Sequence, residues 1–445
     1  MGRHELMRSV VVERDQNRVA PPPNQPVANE WYAILRTDTP GLFESRIEIE
    51  EAESVEKGMD SSHTDDYNDG LRVQKPGNVV NFTIIKSKED DNNTCGLLYQ
   101  MNHCLFDMSS LSLFLSDVEN ALDGKLEKSE TLTCFGPYSY WRFTLPWTQD
   151  GQANVDWNVN RLSGISKMAG RQAMWPEKRA KNWLRGNDQG WFGQDSSERV
   201  PLGPTGKDQK GLFGDDFAVN VEGISQLRSQ HGLSAAKVAK AAQILWNVWK
   251  TGAKEAIFVG AEGARMVPVE SPADLNLRLV PGPVVEVSTT RFPVSWQDTT
   301  LQFLNKVQDD QKELSNHCRL HKGHMASALP SEDKEFLIEL GGRQVFNWAP
   351  KVPHSRTKIH LIKFEGRSDI GVSWVFRMSI DPNEEELLIL EVSWDNAQLT
   401  YDEATLATRQ LLSAAQWLSN PVNANRPIKE CIIDANLAYQ YDGKS

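Results

Sequence analysis

Apolar and polar side chains alternate along this chain with two periods, and the order of those periods predicts its elements. Over residues 78–103, Val80, Phe82 and Ile84 alternate with polar neighbours, "KEDDNN" supplies a turn, and "TCGLLYQMNH" returns. That pattern predicts a β-hairpin. A period of two places Leu97, Tyr99, Met101 and His103 on one face of the returning strand. After a short connection, Leu111, Phe114, Leu115, Val118 and Leu122 recur at helical spacing, with Ser109 or Ser110 available as the N-cap. Further on, Val238, Ala241, Ala242, Leu245 and Trp249 mark another helix. "EAIFVG" reads as a strand leading into a loop that carries Arg265, and "GPVVEVSTTRFPV" as a second strand. Phe303, Leu304, Val307 and Leu314 form one face of a helix over 297–317. "DIGVSWVFRMSID" and "ELLILEVSWD" predict a closing hairpin, and a helix over 402–419 buries Leu411, Ala414, Ala415 and Leu418.

Residues 185–215 have no period and are rich in Gly, Asp and Gln, the composition of a linker. The expected organisation is an N-terminal lobe over 1–190, a linker over 191–215 and a C-terminal lobe over 216–445. Each half mixes helices with hairpins too frequent for a purely parallel sheet, so the fold class is mixed α/β. Residues 1–75 and 125–185 read as folded, but their pattern assigns no strand.

Composition narrows the function. The 445 residues have room for two or three folding units. A net charge of −12 without a basic block argues against nucleic acid as a partner. No apolar run is long enough to span a bilayer, and "MGRHELMRSVVVERD" lacks the apolar centre of a secretory signal, which points to the cytoplasm. Cys95, Cys104, Cys134, Cys318 and Cys431 are odd in number and form no Cys-x-x-Cys pair, the usage of reduced thiols.

The candidate chemistry centres on His103 and Asp107, four positions apart where a strand ends and a helix begins. A neutral imidazole at such a place can take a proton from an attacking hydroxyl or amine. A satisfied structural histidine is the alternative at this point. His317, His321 and His324 have a spacing that one helix face could offer to zinc, but Gly323 interrupts it and no carboxylate shares the face. A solvated helix end is the better account, and no metal is expected. Fourteen tryptophans, among them Trp141, Trp147, Trp157, Trp175, Trp183 and Trp191, serve either core packing or an aromatic-lined tunnel for an apolar substrate. No Walker loop, GxGxxG fingerprint or GxSxG elbow is present.

"NHCLFDM" resembles the HHxxxDG motif of nonribosomal-peptide condensation domains and the HxxxD motif of related acyltransferases. These include chloramphenicol acetyltransferase, the plant acyl-CoA transferases and the fungal trichothecene O-acetyltransferases. "RHELMRSVVVERD" is similar to the early "RHPxLR" segment of condensation domains. The stretches from "ISQLRSQHGL" to "GAEGAR", from "VPGPVVEV" to "DDQKEL", "RQVFNWAP" and 369–418 follow in the family's order. The resemblance implies two chloramphenicol-acetyltransferase-like lobes forming a pseudo-dimer around a central tunnel, with the N-terminal lobe shortened. It makes His103 the general base, Asp107 a structural carboxylate and Arg265 its partner from the second lobe. Asn347 and Trp348 match positions near the tunnel. Asn102 stands in place of the family's first His and Met108 in place of its Gly, where a long side chain narrows the tunnel.

The activity this implies is transfer of an acyl group from acyl-CoA, a co-substrate rather than a bound cofactor, to a hydroxyl of a secondary metabolite of fungal type. The expected protein is a monomer. The alternatives are condensation using an acyl-carrier protein as partner, or a relative that has lost acyl transfer and serves as a binding protein or cyclase.

Overall fold

In the computed structural model the described residues are 3–13, 32–36, 47–61, 77–78, 80–88, 95–102, 105–168, 174–179, 212–266, 275–317, 322–349, 372–395 and 397–435. The chain divides into two compact units, residues 1–140 with 271–284, and residues 141–270 with 285–445.

The strands of the first unit are β1 (Ser9–Glu13), β2 (Tyr32–Arg36), β3 (Ile47–Ala52), β4 (Gly77–Asn78), β5 (Val80–Ser87) and β6 (Cys95–Met101). They form two three-stranded sheets, ordered β2-β1-β4 and β3-β5-β6. The expected hairpin is β5–β6, antiparallel, with Phe82 opposite Tyr99 and Ile84 opposite Leu97. Val80, Phe82, Thr83 and Ile85 are all buried, so β5 is covered on both faces. Helix α1 (Val55–Ser61) lies against one of them. A Cβ at Gly96 would come within 2.5 Å of Val55 and 2.9 Å of Met59, so glycine is what lets α1 approach β6.

On the other face, Phe114 of α2 (Met108–Leu122) meets Phe82 at 6.1 Å and Tyr99 at 5.9 Å. Leu111, Phe114 and Leu115 are buried as the helical period requires. Leu122 is 62% exposed, being the last residue of α2, and Leu97 near the turn end of β6 is 37% exposed. The buried face is therefore shorter than the periodicity suggests. Helix α3 (Phe135–Thr144) begins in this unit.

The second unit holds α4 (Gln149–Leu162), α5 (Ile224–His231), α6 (Ala235–Thr251), α7 (Thr300–His317), α8 (Lys322–Ala328), α9 (Ser331–Gly341) and α10 (Tyr401–Ser419). Its strands are β7 (Leu212–Asn220), β8 (Glu255–Gly263), β9 (Val285–Pro293), β10 (Gln344–Trp348), β11 (Trp374–Ile380) and β12 (Leu387–Asp395). They form one six-stranded mixed sheet, ordered β7-β12-β11-β10-β8-β9. β10 runs parallel to both β8 and β11, and the other pairs are antiparallel. β7 begins at Leu212, inside the stretch expected to be linker, and residues 191–211 of that stretch lie outside the described residues.

Period-two alternation gives this sheet two apolar faces. Ala256, Phe258, Phe346, Trp374 and Phe376 pack with α6, α7 and α10, whereas Ile257 and Val259 pack with Leu162 of α4, Met325 of α8 and Leu337 and Leu340 of α9. A sheet covered on both faces explains why β8 reads as a nearly continuous apolar run. Phe303, Leu304, Val307 and Leu314 of α7, and Leu411, Ala414, Ala415 and Leu418 of α10, are buried as expected. Trp175, Trp246 and Trp374 form an aromatic cluster with ring separations of 4.8 to 5.3 Å, which assigns Trp175 to core packing. Trp183 and Trp191 lie outside the described residues.

Candidate active site

The connection between β6 and α2 opens with a turn in which Leu105 N–H donates to the Asn102 carbonyl at 3.0 Å. His103 and Cys104 lie outside the described residues, so His103 has its place in the chain but no described geometry. Asn102 and Met108 flank the connection, both half-buried.

Asp107, not Ser109 or Ser110, is the N-cap of α2. Its Oδ1 accepts from Ser110 N–H at 2.7 Å, and Ser110 Oγ accepts from Asp107 N–H at 2.8 Å. This reciprocal box satisfies orphan donors at the helix start. The sequence offers Asp and Ser in the same four residues, and either can cap; the carboxylate takes the N-cap position and the serine the third helical one.

The other carboxylate oxygen reaches further. Asp107 Oδ2 accepts from Val284 N–H at 2.9 Å, across 177 positions of sequence, and both groups are buried. Asp107 therefore joins the start of α2 to the segment 275–284, which includes the "PGP" stretch. Nothing in the spacing of the motif signals a bond to a backbone amide so far away. In β6, burial raises the pKa of the Tyr99 phenol, which meets Phe114, above its ordinary value.

In the second unit, Arg265 sits on a single 3-10 turn, Ala264–Met266, directly after β8, and is buried. Asn347 and Trp348 end β10, paired in register with Ala261 and Glu262 of β8, so these three candidates cluster at the C-terminal ends of two parallel strands. Such strand ends commonly carry sites in α/β sheets. A buried polar group that the sequence reading missed lies beside them. Lys240 of α6 donates to Gln311 of α7, its Nζ is 3.6 Å from Glu262 Oε1, and Gln311 Nε2 donates to Glu262 Oε2 at 2.8 Å. Burial holds the Lys240 ammonium below its ordinary value, opposed by the Glu262 charge. Lys240, Gln243 and Asn247 are all buried polar residues among the apolar residues that the helix buries. Charged and amide side chains count as solvent-facing in a periodicity reading, which is why this stripe was not legible.

His317, His321 and His324 do not share a helix face. α7 ends at His317, His321 lies outside the described residues, and His324 belongs to α8. His317 stacks on Trp157 with centroids 4.5 Å apart and bonds Asn154 at 2.8 Å, while His324 meets Trp147 edge-on at 5.4 Å. These are packing contacts. No group of three metal-binding side chains occurs among the described residues.

No protein-family model matches the sequence, and no curated protein does. Solved structures match over nearly its whole length. Selenomethionine CT aligns with a TM-score of 0.66 at 15% identity, covering 96% of this chain and 82% of that one. The X-domain from teicoplanin biosynthesis aligns at 0.61 and 14%, covering 96% and 86%. The first condensation domain of the calcium-dependent antibiotic synthetase, in complex with a substrate analogue, aligns at 0.56 and 13%, covering 96% and 87%. At these identities the likeness is one of fold. The protein has the two-lobed, mixed α/β fold of condensation domains, related to that of chloramphenicol acetyltransferase. No described helix is long and apolar enough to cross a membrane.

Proposed function

We propose that this protein is an acyltransferase that moves an acyl group from a thioester to a nucleophile, with acyl-CoA as donor and a hydroxyl of a secondary metabolite as acceptor. The observation that carries the reading is Asp107. The turn that would present His103 is held by a buried carboxylate bonded both to its own helix and to Val284 N–H. A motif kept only by chance would have no reason to fix this turn from two sides.

In this reading His103 removes the proton from the acceptor hydroxyl as its oxygen attacks the thioester carbonyl. The tetrahedral intermediate then collapses, the C–S bond breaks, and the proton passes from His103 to the leaving thiolate. Met108, the residue after Asp107, limits the room for substrate beside His103.

A second reading is supported by the company the fold keeps, since solved neighbours are condensation domains of peptide synthetases. In this second reading the donor is a thioester on an acyl-carrier protein and the product an amide or ester. The two are separated by offering the same acyl group as its CoA thioester and as a carrier-bound pantetheine thioester, with products identified by mass. Turnover of the CoA thioester with an alcohol supports the first reading. Turnover of the carrier-bound form alone replaces it with the second.

A further inference from the structure

The segment Arg3–Arg8 touches the elements that hold Asp107. The Arg3 guanidinium donates to the carbonyls of Leu126, at 3.2 Å, and Glu130, and lies 3.4 Å from the Asp117 carboxylate. His4 is 2% exposed, its Nε2 is 3.0 Å from Asp117 Oδ2, and its ring meets Phe114 edge-on at 5.4 Å. Glu5 Oε2 accepts from the N–H groups of Phe135, at 2.6 Å, and Gly136, at 3.4 Å, at the start of α3. Leu6 is buried against Gly282, where an added Cβ would come within 2.7 Å of its Cδ1. Two residues beyond Gly282 is Val284, whose N–H meets Asp107.

His4 and Leu6 thus grip the two elements that Asp107 joins: α2, through Asp117 and Phe114, and the 275–284 segment, through Gly282. We propose that His4 is a positioning residue, which clamps α2 through Asp117 so that Asp107 stays in reach of Val284. A helix advances 1.5 Å per residue, so even a fraction of a one-residue slip of α2 takes Asp107 out of hydrogen-bond range of Val284. Misplacing a reacting group by about 1 Å can cost on the order of a hundredfold in rate. Desolvation keeps the His4 imidazole neutral, with Asp117 opposing it, so at neutral pH His4 Nε2–H is the donor and the carboxylate the acceptor.

Only the kinetic consequence rests on the acyl-transfer reading, so the test has two arms. Amide hydrogen exchange is measured on the full chain, wild type against His4→Ala, with Asp117→Asn as the milder variant should His4→Ala not fold. The clamp predicts exchange roughly tenfold or more faster at Ser110, Leu111 and Val284, with residues 372–419 unchanged. Unchanged exchange at those three amides, or an equal rise throughout the chain, overturns it. In the kinetic arm, thiol release from acyl-CoA should show a fall in kcat with the thioester KM unchanged. His4→Gln, which carries an N–H at similar reach, should restore most of it; failure of that rescue while His4→Ala slows turnover contradicts the hydrogen-bonding role. Wild-type protein that releases no thiol removes the acyl-transfer reading, and the exchange arm still decides the clamp.

Discussion

Replacing Asp107 by Ala removes two bonds with different costs. The N-cap bond to Ser110 N–H is worth about 0.5–2 kcal/mol in other helices. Losing the bond to Val284 leaves a buried N–H unsatisfied, which costs about 1–3 kcal/mol. Together the loss is roughly 2–5 kcal/mol, confined to the first unit. For a folding unit of this size each kcal/mol moves Tm by about 2–4 °C, so calorimetry should show the first unit melting about 4–20 °C lower and the second unit unmoved. Asp107→Asn separates the contributions. Its amide oxygen can accept from one of the two donors, while its NH2 group faces the other, so it should fall between wild type and Ala. An Ala variant within about 0.5 kcal/mol of wild type would refute the assignment of Asp107 as the joint between α2 and 275–284.

Two further predictions concern the second unit. Glu403 at the start of α10 accepts from Arg179 at 2.6 and 2.7 Å and from Thr400 N–H at 2.9 Å. Burial opposes its charge, but the Arg179 and Thr400 bonds overcome that and bring its pKa from 4.5 to about 2. A depressed folded-state pKa gives stability that is fully present above 4.5 and is lost as pH falls toward 2. Unfolding measured from pH 5 to 2 should therefore show a shallower acid loss in Glu403→Gln; an unchanged acid limb would contradict the pairing. Trp374 is fully buried, 4.5 Å from Phe376 and 5.3 Å from Trp246. Trp374→Ala should cost about 3–5 kcal/mol in urea unfolding, and a loss below about 1 kcal/mol would mean that the aromatic cluster is not packed as described.

The elements that the sequence made legible are those whose burial follows one period. The stripe of α7, the β11–β12 hairpin and the Leu411, Ala414, Ala415 and Leu418 face of α10 all appear where periodicity puts them. Legibility failed where burial departs from that rule. α6 buries Lys240, Gln243 and Asn247 along with its apolar residues, and no hydropathy pattern announces a buried lysine. α4 spans "QDGQANVDWNVNRL", too polar to stand out, yet Val155, Asn158 and Leu162 are buried. The sequence offers the candidate site as a motif and an order of segments. Its geometry was not legible there, since the bond from Asp107 to Val284 depends on two stretches that only the fold brings together.

The account turns on His103 as a base in acyl transfer, and the most direct test is thiol release from a panel of acyl-CoAs with terpenoid and polyketide alcohols, wild type against His103→Ala. The wild type should show alcohol-dependent release, lowered by about 10²–10⁴ in the variant while its melting profile is unchanged. Equal release by a folded His103→Ala protein would contradict it.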